Sequence, residues 1–461
     1  MSSWWYWKEC APGQTNNTWL KCKGAVELWE PRDDVFPDKF NFIAGKPLAL
    51  HNRWFSGTNN TYITQLGFAD SFIVEKDVDF ALPIKADVFT YLMAKAKAWG
   101  MSLYEQDWLI TVWDTMAVTK SNVTAASDWL QAMADAATGL GITIQYCMPL
   151  ARHMLESTKH QAVTNARASG DYHPGAGNYE VGLSSLLYWA IGVAPSKDDY
   201  FTTEVQPGNP YGDKPTEPNW QLQAIVVGLS TGPNGPSDGI GYTNASLVMS
   251  TVRGDGVTLQ PDRPATTMDA ALARVFAAGR SVPDVRSTWT AYAGHAYRWH
   301  HVLAVSLADD FALTLADLGP AGAAGSFAVF DWFCPRCGPL AVLSEPAAPF
   351  TVPRGQGQPS APSRAHSVRH LTVVPQLPGG WWLFGEAGKV VPMSKQRVAD
   401  IALFADGFAA TVSGAAGEAG GVTMLVAAPD AKGVPAPVAC PSAAGKTALL
   451  TCRGVAACTC A

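Results

Sequence analysis

The sequence is poor in charged side chains. Its 33 basic and 39 acidic residues make up 16% of the 461 residues, against roughly 25% in an ordinary soluble domain. The formal net charge of −6 excludes the strongly basic surface with which proteins bind nucleic acid without sequence preference. Long apolar runs are also absent, so no transmembrane helix is predicted. With 48% hydrophobic residues, the chain can nevertheless fill a sizeable core.

Asparagine is missing from the last part of the chain, because none follows Asn244. Downstream of it, Ala, Gly, Pro and Val become common. This change in composition predicts two domains, at residues 1–281 and 282–461. In the first, strand-like and helix-like segments alternate, which favours a (β/α) barrel of the TIM type over an open parallel sheet. In the second, short apolar runs without helical periodicity predict an antiparallel β-sandwich with a cysteine-rich tail.

Acidic side chains recur where the predicted barrel strands end. Asp107 closes a strand predicted at 102–107, and Asp171 follows one predicted at 162–167. Active sites of such barrels lie at the carboxyl ends of the strands, and two carboxylates across a cleft are what glycoside hydrolysis needs. Each aspartate could instead cap the helix that follows it. Arg167 favours the catalytic interpretation, since a guanidinium can hold a sugar hydroxyl or change the pKa of a neighbouring acid.

Tryptophan is unusually frequent, with 17 residues in the chain. One interpretation is an aromatic core, and the other is a cleft in which indole faces stack on sugar rings. Trp108 directly follows Asp107, and Trp4 and Trp5 stand at the start of the chain. These residues could form the walls of a sugar cleft. Core packing better explains the tryptophans of the predicted sandwich.

Sequons indicate a secreted or lumenal glycoprotein. The motif N-x-S/T occurs at four positions, which are Asn16, Asn59, Asn122 and Asn244. The N-terminal residues do not form a recognisable secretory signal. We therefore expect the natural N-terminal end, with its signal peptide, to lie upstream of Met1.

The nine cysteines include one C-x-x-C motif, at Cys334 and Cys337. Without a second pair at zinc spacing, a disulfide or two free thiols is favoured over a metal site, and neither a metal nor a cofactor is expected. Cys10 and Cys22 bracket a sequon and are candidates for a small disulfide loop. Four further cysteines lie in the last 22 residues, and the sequence leaves their pairing open.

Five motifs resemble those of the α-galactosidase-like (melibiase clan) glycoside hydrolases, most closely an uncharacterised eukaryotic branch. They lie at residues 103–108, 144–149, 167–174, 203–210 and 229–238. The resemblance covers most of residues 4–270 and implies a barrel followed by a sandwich. It further implies a retaining hydrolase of an α-linked sugar, with Asp107 as nucleophile and Asp171 as general acid/base.

The resemblance also implies a set of sugar contacts at the strand ends. These are Trp4, Trp5, Glu105, Trp108, Tyr146, Cys147, Arg167 and Asp238. Two positions depart from the clan's pattern, because Glu105 replaces a lysine and Met148 stands where many members have an acidic sugar contact. The first barrel strand has no counterpart, so an incomplete barrel and an N-terminally truncated chain are expected.

These departures keep an alternative open. The chain could be a catalytically inactive carbohydrate-binding or structural extracellular glycoprotein derived from the same fold. In both cases the expected partner is a carbohydrate, either an oligosaccharide or a glycoconjugate. Neither nucleic acid nor a membrane span is expected, and the oligomeric state is not predicted.

Overall fold

The computed structural model describes residues 5–8, 24–40, 43, 45–175, 181–278, 284–319, 324–344, 348–354, 367–416, 418, 421–441, 446–454 and 457–461. Contacts divide the chain into two compact units. The first comprises residues 1–167 and 190–194, and the second comprises residues 168–189 and 195–461. The predicted domain boundary between residues 281 and 282 does not coincide with this division, and it stays a prediction.

The first unit combines short strands with helices. Its described strands are β1 (Trp5–Trp7), β2 (Val26–Pro31), β3 (Leu48–Asn52), β4 (Phe72–Glu75), β5 (Phe80–Pro83), β6 (Met101–Gln106), β7 (Thr143–Tyr146) and β8 (Val163–Arg167). Its described helices are α1 (Thr61–Thr64), α2 (Ala86–Ala98), α3 (Leu109–Thr115), α4 (Val118–Ser121), α5 (Ala125–Leu140) and α6 (Ala151–Glu156). Strands β3, β6, β7 and β8 are parallel neighbours in that order.

The parallel sheet forms because apolar strands alternate with amphipathic helices. Helix α5 buries Trp129 and Met133, and it ends at Gly141, whose φ of 64° is readily adopted only by glycine. Tyr104 of β6 and Ile144 of β7 are fully buried. The sequence also predicts a helix from Thr124 to Ala137 and a strand at 142–147. Both elements and the strand predicted at 102–107 are confirmed, apart from their ends.

Among the described strands the parallel sheet does not close into the predicted barrel. Its order runs from β3 through β6, β7 and β8 to β9 (Ala194–Ser196), which leaves two separate edges within the part of the chain that the structure describes. The sequence further predicts a strand at 200–203. That prediction is wrong, because among the described residues Tyr200 makes only an isolated bridge to Pro236. The physical reason is a loop contact, in which the Asp238 carboxylate accepts hydrogen bonds from the amide and hydroxyl of Thr202 at 2.7 Å each.

The second unit contains the remaining described elements. Its helices are α7 (Val181–Ala190), α8 (Trp220–Gly228), α9 (Ala245–Met249) and α10 (Asp269–Ala278). Its strands are β10 (Thr266–Thr267), β11 (Val285–Tyr292), β12 (Tyr297–Val305), β13 (Phe311–Leu313), β14 (Ser326–Asp331), β15 (Ala341–Ser344), β16 (Phe350–Val352), β17 (Val368–Leu377), β18 (Trp381–Glu386), β19 (Val398–Phe404), β20 (Gly407–Ser413), β21 (Val422–Ala427), β22 (Ala436–Cys440), β23 (Thr447–Arg453) and β24 (Ala457–Cys460).

These strands form antiparallel sheets around a common core. The largest sheet has nine strands, and a second sheet contains β19, β20, β23 and β24. Trp299 and Phe330 of the first sheet and Phe408 and Leu450 of the second belong to one cluster of buried side chains. The indole of Trp299 donates a hydrogen bond to the Leu383 carbonyl at 2.6 Å, which satisfies its polar atom. The antiparallel pairing predicted for this part is confirmed, and its arrangement as a sandwich stays a prediction.

Three disulfides join cysteines of the described residues. They link Cys334 to Cys337, Cys440 to Cys460, and Cys452 to Cys458. The C-x-x-C motif is thus a disulfide, and the tail cysteines that the sequence left open are paired. Cys10 and Cys22 lie outside the described residues. Structural disulfides are typical of secreted and lumenal proteins, and no described helix is long and apolar enough to cross a membrane.

Candidate active site

Three neighbouring strand ends bring a polar cluster together in the first unit. His51 lies in β3, Asp107 follows β6, and Cys147 follows β7. The backbone pairing continues past the strands, because the amide of Asp107 donates to the Asn52 carbonyl and that of Cys147 to the Gln106 carbonyl, both at 2.9 Å. All three side chains therefore lie at the carboxyl edge of the parallel sheet, where α/β proteins place their sites.

The Asp107 carboxylate has three hydrogen-bond donors. His51 Nε2 lies 3.0 Å from Oδ2, the Trp108 amide donates to Oδ1 at 2.6 Å, and the Cys147 thiol donates to the same carboxylate. Burial raises the pKa of Asp107, but the hydrogen bonds from these donors and the charge of His51 outweigh it and hold the pKa below its usual value. Asp107 is therefore an ionised carboxylate at neutral pH. Its side chain keeps 16% of its surface exposed.

The turn after Asp107 has an unusual backbone. Trp108 adopts φ 63° and ψ 28°, the left-handed conformation, immediately before α3. A bulky L-residue in this region is a conformational outlier that costs roughly 1–2 kcal/mol. Such strain persists only where surrounding contacts enforce it, and it is often found at functional sites. Here it occurs at the residue whose amide binds the Asp107 carboxylate.

Aromatic rings and the Arg53 cation pack around Trp108, the residue that follows Asp107. Trp54 meets Trp108 edge to face at 4.9 Å between ring centroids and stacks on Phe80 at 5.3 Å. The guanidinium carbon of Arg53 lies 3.9 Å from the ring centroid of Trp7. Burial lowers the pKa of Arg53 to about 10, although the charge of Asp107 raises it. Arg53 therefore remains a cation at neutral pH.

A buried hydrogen-bond chain fixes the backbone of Asp107. The Asn52 side chain donates to the Tyr104 hydroxyl at 2.7 Å, which donates to Gln106 Oε1 at 3.0 Å. Gln106 Nε2 then donates to the Asp107 carbonyl at 2.9 Å. The three linking side chains are at most 1% exposed. The position of Asp107 is consequently set by packing and by hydrogen bonds from two strands.

The remaining sugar contacts expected in the first unit differ in exposure. Tyr146 is fully buried, and Trp5 is 3% exposed and stacks on Trp29 at 5.0 Å. Glu105 and Arg167 are half-buried, and Glu105 Oε1 accepts a hydrogen bond from Gln145 at 3.3 Å. Their contact with a sugar stays a prediction. Trp4 lies outside the described residues.

Cys147 is a buried free thiol. Burial raises its pKa well above the ordinary value, and the negative charge of Asp107 acts in the same direction. A thiol held in its protonated form is a weak nucleophile. Its role in the cluster is therefore that of a hydrogen-bond donor to Asp107.

Asp171 and Asp238 both belong to the second unit. Asp171 is exposed, at the start of the loop that follows Gly170. Asp238 fixes a loop, because Gln206 Nε2 donates to it at 2.7 Å in addition to the two bonds from Thr202. This accounts for Asp238 structurally, while its predicted contact with sugar stays a prediction.

The described sequons differ in their surroundings. Asn59 and Asn122 are exposed. Asn244 is half-buried and caps α9, since its side chain accepts a hydrogen bond from the Leu247 amide at 3.1 Å. Asn16 lies outside the described residues. Exposure therefore favours Asn59 and Asn122 as glycosylation sites, which stay predictions.

Sequence reasoning missed His51 and Arg53. A signal for His51 was present, because the apolar residues at 47–51 predict a short buried strand that ends at His51, and polar residues at the ends of such strands are candidate site residues. Arg53 follows two residues later, beyond the strand, and its place among the tryptophans is a tertiary feature. Among the described residues, no group of three or more His, Cys, Asp or Glu side chains could hold a metal ion.

No family model and no curated protein matches the sequence. Among solved structures, the chain is similar to an α-galactosidase from Lactobacillus brevis, at TM-score 0.43 and 9% identity over 76% of this chain and 48% of that one. It is similar to the GH36 α-galactosidase AgaA from Geobacillus stearothermophilus, solved with raffinose, at TM-score 0.42 and 11% identity over 76% and 49%. It is also similar to an α-galactosidase from Thermus thermophilus, solved with stachyose, at TM-score 0.32 and 14% identity over 49% and 54%.

The chain spans about half the length of each of these three structures. Identities of 9–14% and TM-scores of 0.32–0.43 do not assign it to a family. The chemistry of the site therefore rests on its own residues.

Proposed function

We propose that the chain is a retaining glycoside hydrolase acting on an α-linked sugar. The observation that carries the proposal is the state of Asp107, an ionised and oriented carboxylate at the carboxyl edge of a parallel sheet, beside tryptophan rings. A retaining hydrolase needs such a carboxylate as its nucleophile. The motifs that resemble the α-galactosidase-like enzymes supply the sugar class and the role of Asp171 as general acid/base.

The reaction would proceed in two displacements. In the first, a carboxylate oxygen of Asp107 bonds to the anomeric carbon while the glycosidic C–O bond breaks, and Asp171 gives its proton to the leaving oxygen. In the second, a water attacks the anomeric carbon, Asp171 accepts the proton of that water, and Asp107 is released as a carboxylate. A carboxylate offers about four lone-pair sites, so three donors leave one for attack.

The surroundings of Asp107 suit a sugar. Trp108, which directly follows Asp107 and is half-buried, presents aromatic surface next to the carboxylate, and the apolar face of a pyranose packs on such a ring. Trp54 is 3% exposed and supports the Trp108 ring from within the fold. Arg53 and Asp107 bring opposite charges into the site, which suits a neutral, hydroxyl-rich ligand that can both donate and accept hydrogen bonds. Secretion and glycosylation at Asn59 and Asn122 belong to the same proposal, and the three disulfides support it.

A second candidate function is carbohydrate binding without hydrolysis. The observation that favours it is Glu105, which adds a carboxylate near Cys147 and Asp107 where the resemblance implies a lysine. A negative charge there disfavours further negative charge at the site and gives no electrostatic help to a leaving group. Binding of a neutral oligosaccharide would be unaffected by it.

Aryl α-glycosides of several sugars, assayed with the wild type and with Asp107→Asn and Asp171→Asn, distinguish these functions. We expect Asp107→Asn to lower kcat by about 1,000-fold or more, and the first sugar released by the wild type to keep the α configuration by NMR. Asp128→Asn, an exposed residue of α5, is the matched control. Binding on a glycan array without turnover would favour the second function, and undiminished turnover in both site variants would overturn the first.

A further inference from the structure

A buried carboxylate in the second unit lies directly beneath the loop that carries Asp171. Glu217 is 0% exposed. Its Oε2 accepts hydrogen bonds from the Tyr172 hydroxyl at 2.7 Å and from the Gly175 amide at 3.1 Å. Its Oε1 accepts the Asn219 amide at 2.7 Å, just before α8. One side chain thus joins the Asp171 loop to the start of a helix.

Tyr172, the residue after Asp171, is held both at its backbone amide and at its side-chain hydroxyl. The amide of Tyr172 donates to Asp198 Oδ2 at 2.7 Å, while its hydroxyl binds Glu217. Its ring is buried and meets Phe201 edge to face at 5.3 Å. Tyr172 therefore points inward, whereas Asp171 is exposed. Rotation of the backbone at Asp171 would break these contacts.

The charge of Glu217 is partly compensated by its surroundings. Burial is the largest influence and leaves the pKa of Glu217 above its ordinary value, although hydrogen bonds from Tyr172, Asn219 and Gly175, together with the charge of Lys197, lower it. Lys197 is itself 5% exposed, and its ammonium lies 4.9 Å from the ring centroid of Tyr172. Three donors directed at one carboxylate require acceptors, which an ionised glutamate supplies.

We propose that Glu217 is the positioning residue of Asp171. It acts through Tyr172 and Gly175, holding the loop of residues 171–175 so that the Asp171 carboxyl keeps one orientation toward a leaving group. Because it assumes that Asp171 is the general acid/base, this inference rests on the proposed function. Glu217 touches neither substrate nor reacting atoms in this scheme.

A glutamine at this position is the informative change. Glu217→Gln keeps the shape but turns one acceptor into an NH₂ group that faces donors, so at least one of the three hydrogen bonds is lost. Tyr172→Phe removes only the hydroxyl donor and tests the same link if Glu217→Gln folds poorly. Glu204→Gln is the matched control, since the Glu204 side chain is exposed while its backbone carbonyl accepts a hydrogen bond from the Glu217 amide at 2.8 Å. Thermal unfolding establishes that each variant is folded.

The decisive readout compares leaving groups. A 4-nitrophenyl α-glycoside needs little proton donation, whereas a methyl α-glycoside needs much, so loss of general-acid positioning affects the second far more. We expect Glu217→Gln and Tyr172→Phe to lower kcat/KM on the methyl glycoside about 10-fold more than on the nitrophenyl glycoside. Glu204→Gln should leave both unchanged. An equal loss on both substrates, or no loss, overturns the positioning role.

Hydrogen exchange separates this inference from the proposed function. In Glu217→Gln, the amides of Tyr172 and Gly175 should exchange about 10-fold faster than in the wild type or in Glu204→Gln. Unchanged exchange overturns the inference even if the enzyme is active. If the wild type hydrolyses no glycoside and Asp171→Asn changes nothing, the proposed function is overturned, and the catalytic part of this inference with it.

Discussion

The His51 imidazole and the Asp107 carboxylate lie 3.0 Å apart at the ends of two adjacent parallel strands. Their side chains are similarly shielded, at 15% and 16% exposed. This pairing orients Asp107 and favours its ionised form. It therefore connects the register of the sheet, in which His51 stands opposite Glu105, to the protonation state of the proposed nucleophile.

Replacing His51 should impair activity most at acidic pH. In His51→Leu the carboxylate loses a donor and a charge that lower its pKa, so the pKa of Asp107 rises. The acid limb of kcat/KM against pH must then move to higher pH, because more of the enzyme holds a protonated nucleophile. On the pH-independent plateau we expect kcat/KM of His51→Leu to be about 10-fold lower than that of the wild type, which corresponds to about 1.4 kcal/mol. His51→Gln retains a donor and should move the limb less. A limb that stays in place in His51→Leu would show that Asp107 ionises without this contact.

Histidines buried in the second unit should make the fold sensitive to acid. His300, His301 and His370 are at most 2% exposed. Burial lowers the pKa of His300 and His301 to about 3, and that of His370 well below its ordinary value. The rings of His301 and His370 lie 5.7 Å apart, and within the described residues their nitrogens have no hydrogen-bond partner. They are stable inside the fold only as neutral rings.

The sign of the pH dependence follows from these lowered values. In the unfolded chain a histidine binds a proton near pH 6.5, whereas the folded chain resists protonation down to about pH 3. The free energy of unfolding should therefore be constant at neutral pH. As the pH is lowered from about 6.5 to about 3, it should decrease by up to about 1.4 kcal/mol per pH unit for each histidine. Urea unfolding across this range measures the slope. His301→Leu should flatten it, and the exposed control His295→Gln should not.

A close approach between β20 and β23 should make one glycine irreplaceable. A Cβ at Gly407 would lie 2.0 Å from the Cys452 carbonyl oxygen, at the end of β20 where Gly407 pairs with Arg453. Gly407→Ala must push these strands apart, and we expect a loss of about 3 kcal/mol or more in the free energy of unfolding. Gly325→Ala is the control, since a Cβ added at Gly325 would have nothing within 4 Å. Similar stability of the two variants would contradict the packing of this sheet.

Local sequence patterns predicted the elements that carry Asp107. The features that these patterns did not predict depend on contacts between residues far apart in the chain. The strand before Asp107 could be predicted from Leu103 and Tyr104, which follow the helix end at Gly100, and Tyr104 is a buried position of β6. The strand expected at 200–203 is wrong because Thr202 binds Asp238, 36 residues away. Glu217 escaped notice for the same reason, since its partner Tyr172 is 45 residues distant and no spacing rule connects them.

Asp238 offers a direct test of loop support against sugar contact. Its carboxylate accepts three hydrogen bonds, two from Thr202 and one from Gln206. Asp238→Ala leaves these donors without an acceptor, so we expect the free energy of unfolding to fall by about 1–3 kcal/mol. Asp238→Asn can still accept both N–H donors at its carbonyl oxygen and should cost less. Asp213→Ala, in an exposed loop position, is the control.

Loop support and sugar binding by Asp238 predict different changes of stability and KM in the two variants. If the carboxylate mainly fixes the loop, stability should rank wild type, Asp238→Asn, Asp238→Ala, and any increase in KM on an aryl α-glycoside should follow that order. If it mainly binds sugar, both variants should raise KM by a similar factor while unfolding is unchanged, because a hydroxyl that loses a charged acceptor costs about 1.5–3 kcal/mol in either case. The hydrogen bonds from Thr202 and Gln206 occupy both carboxylate oxygens, and so we expect the first result.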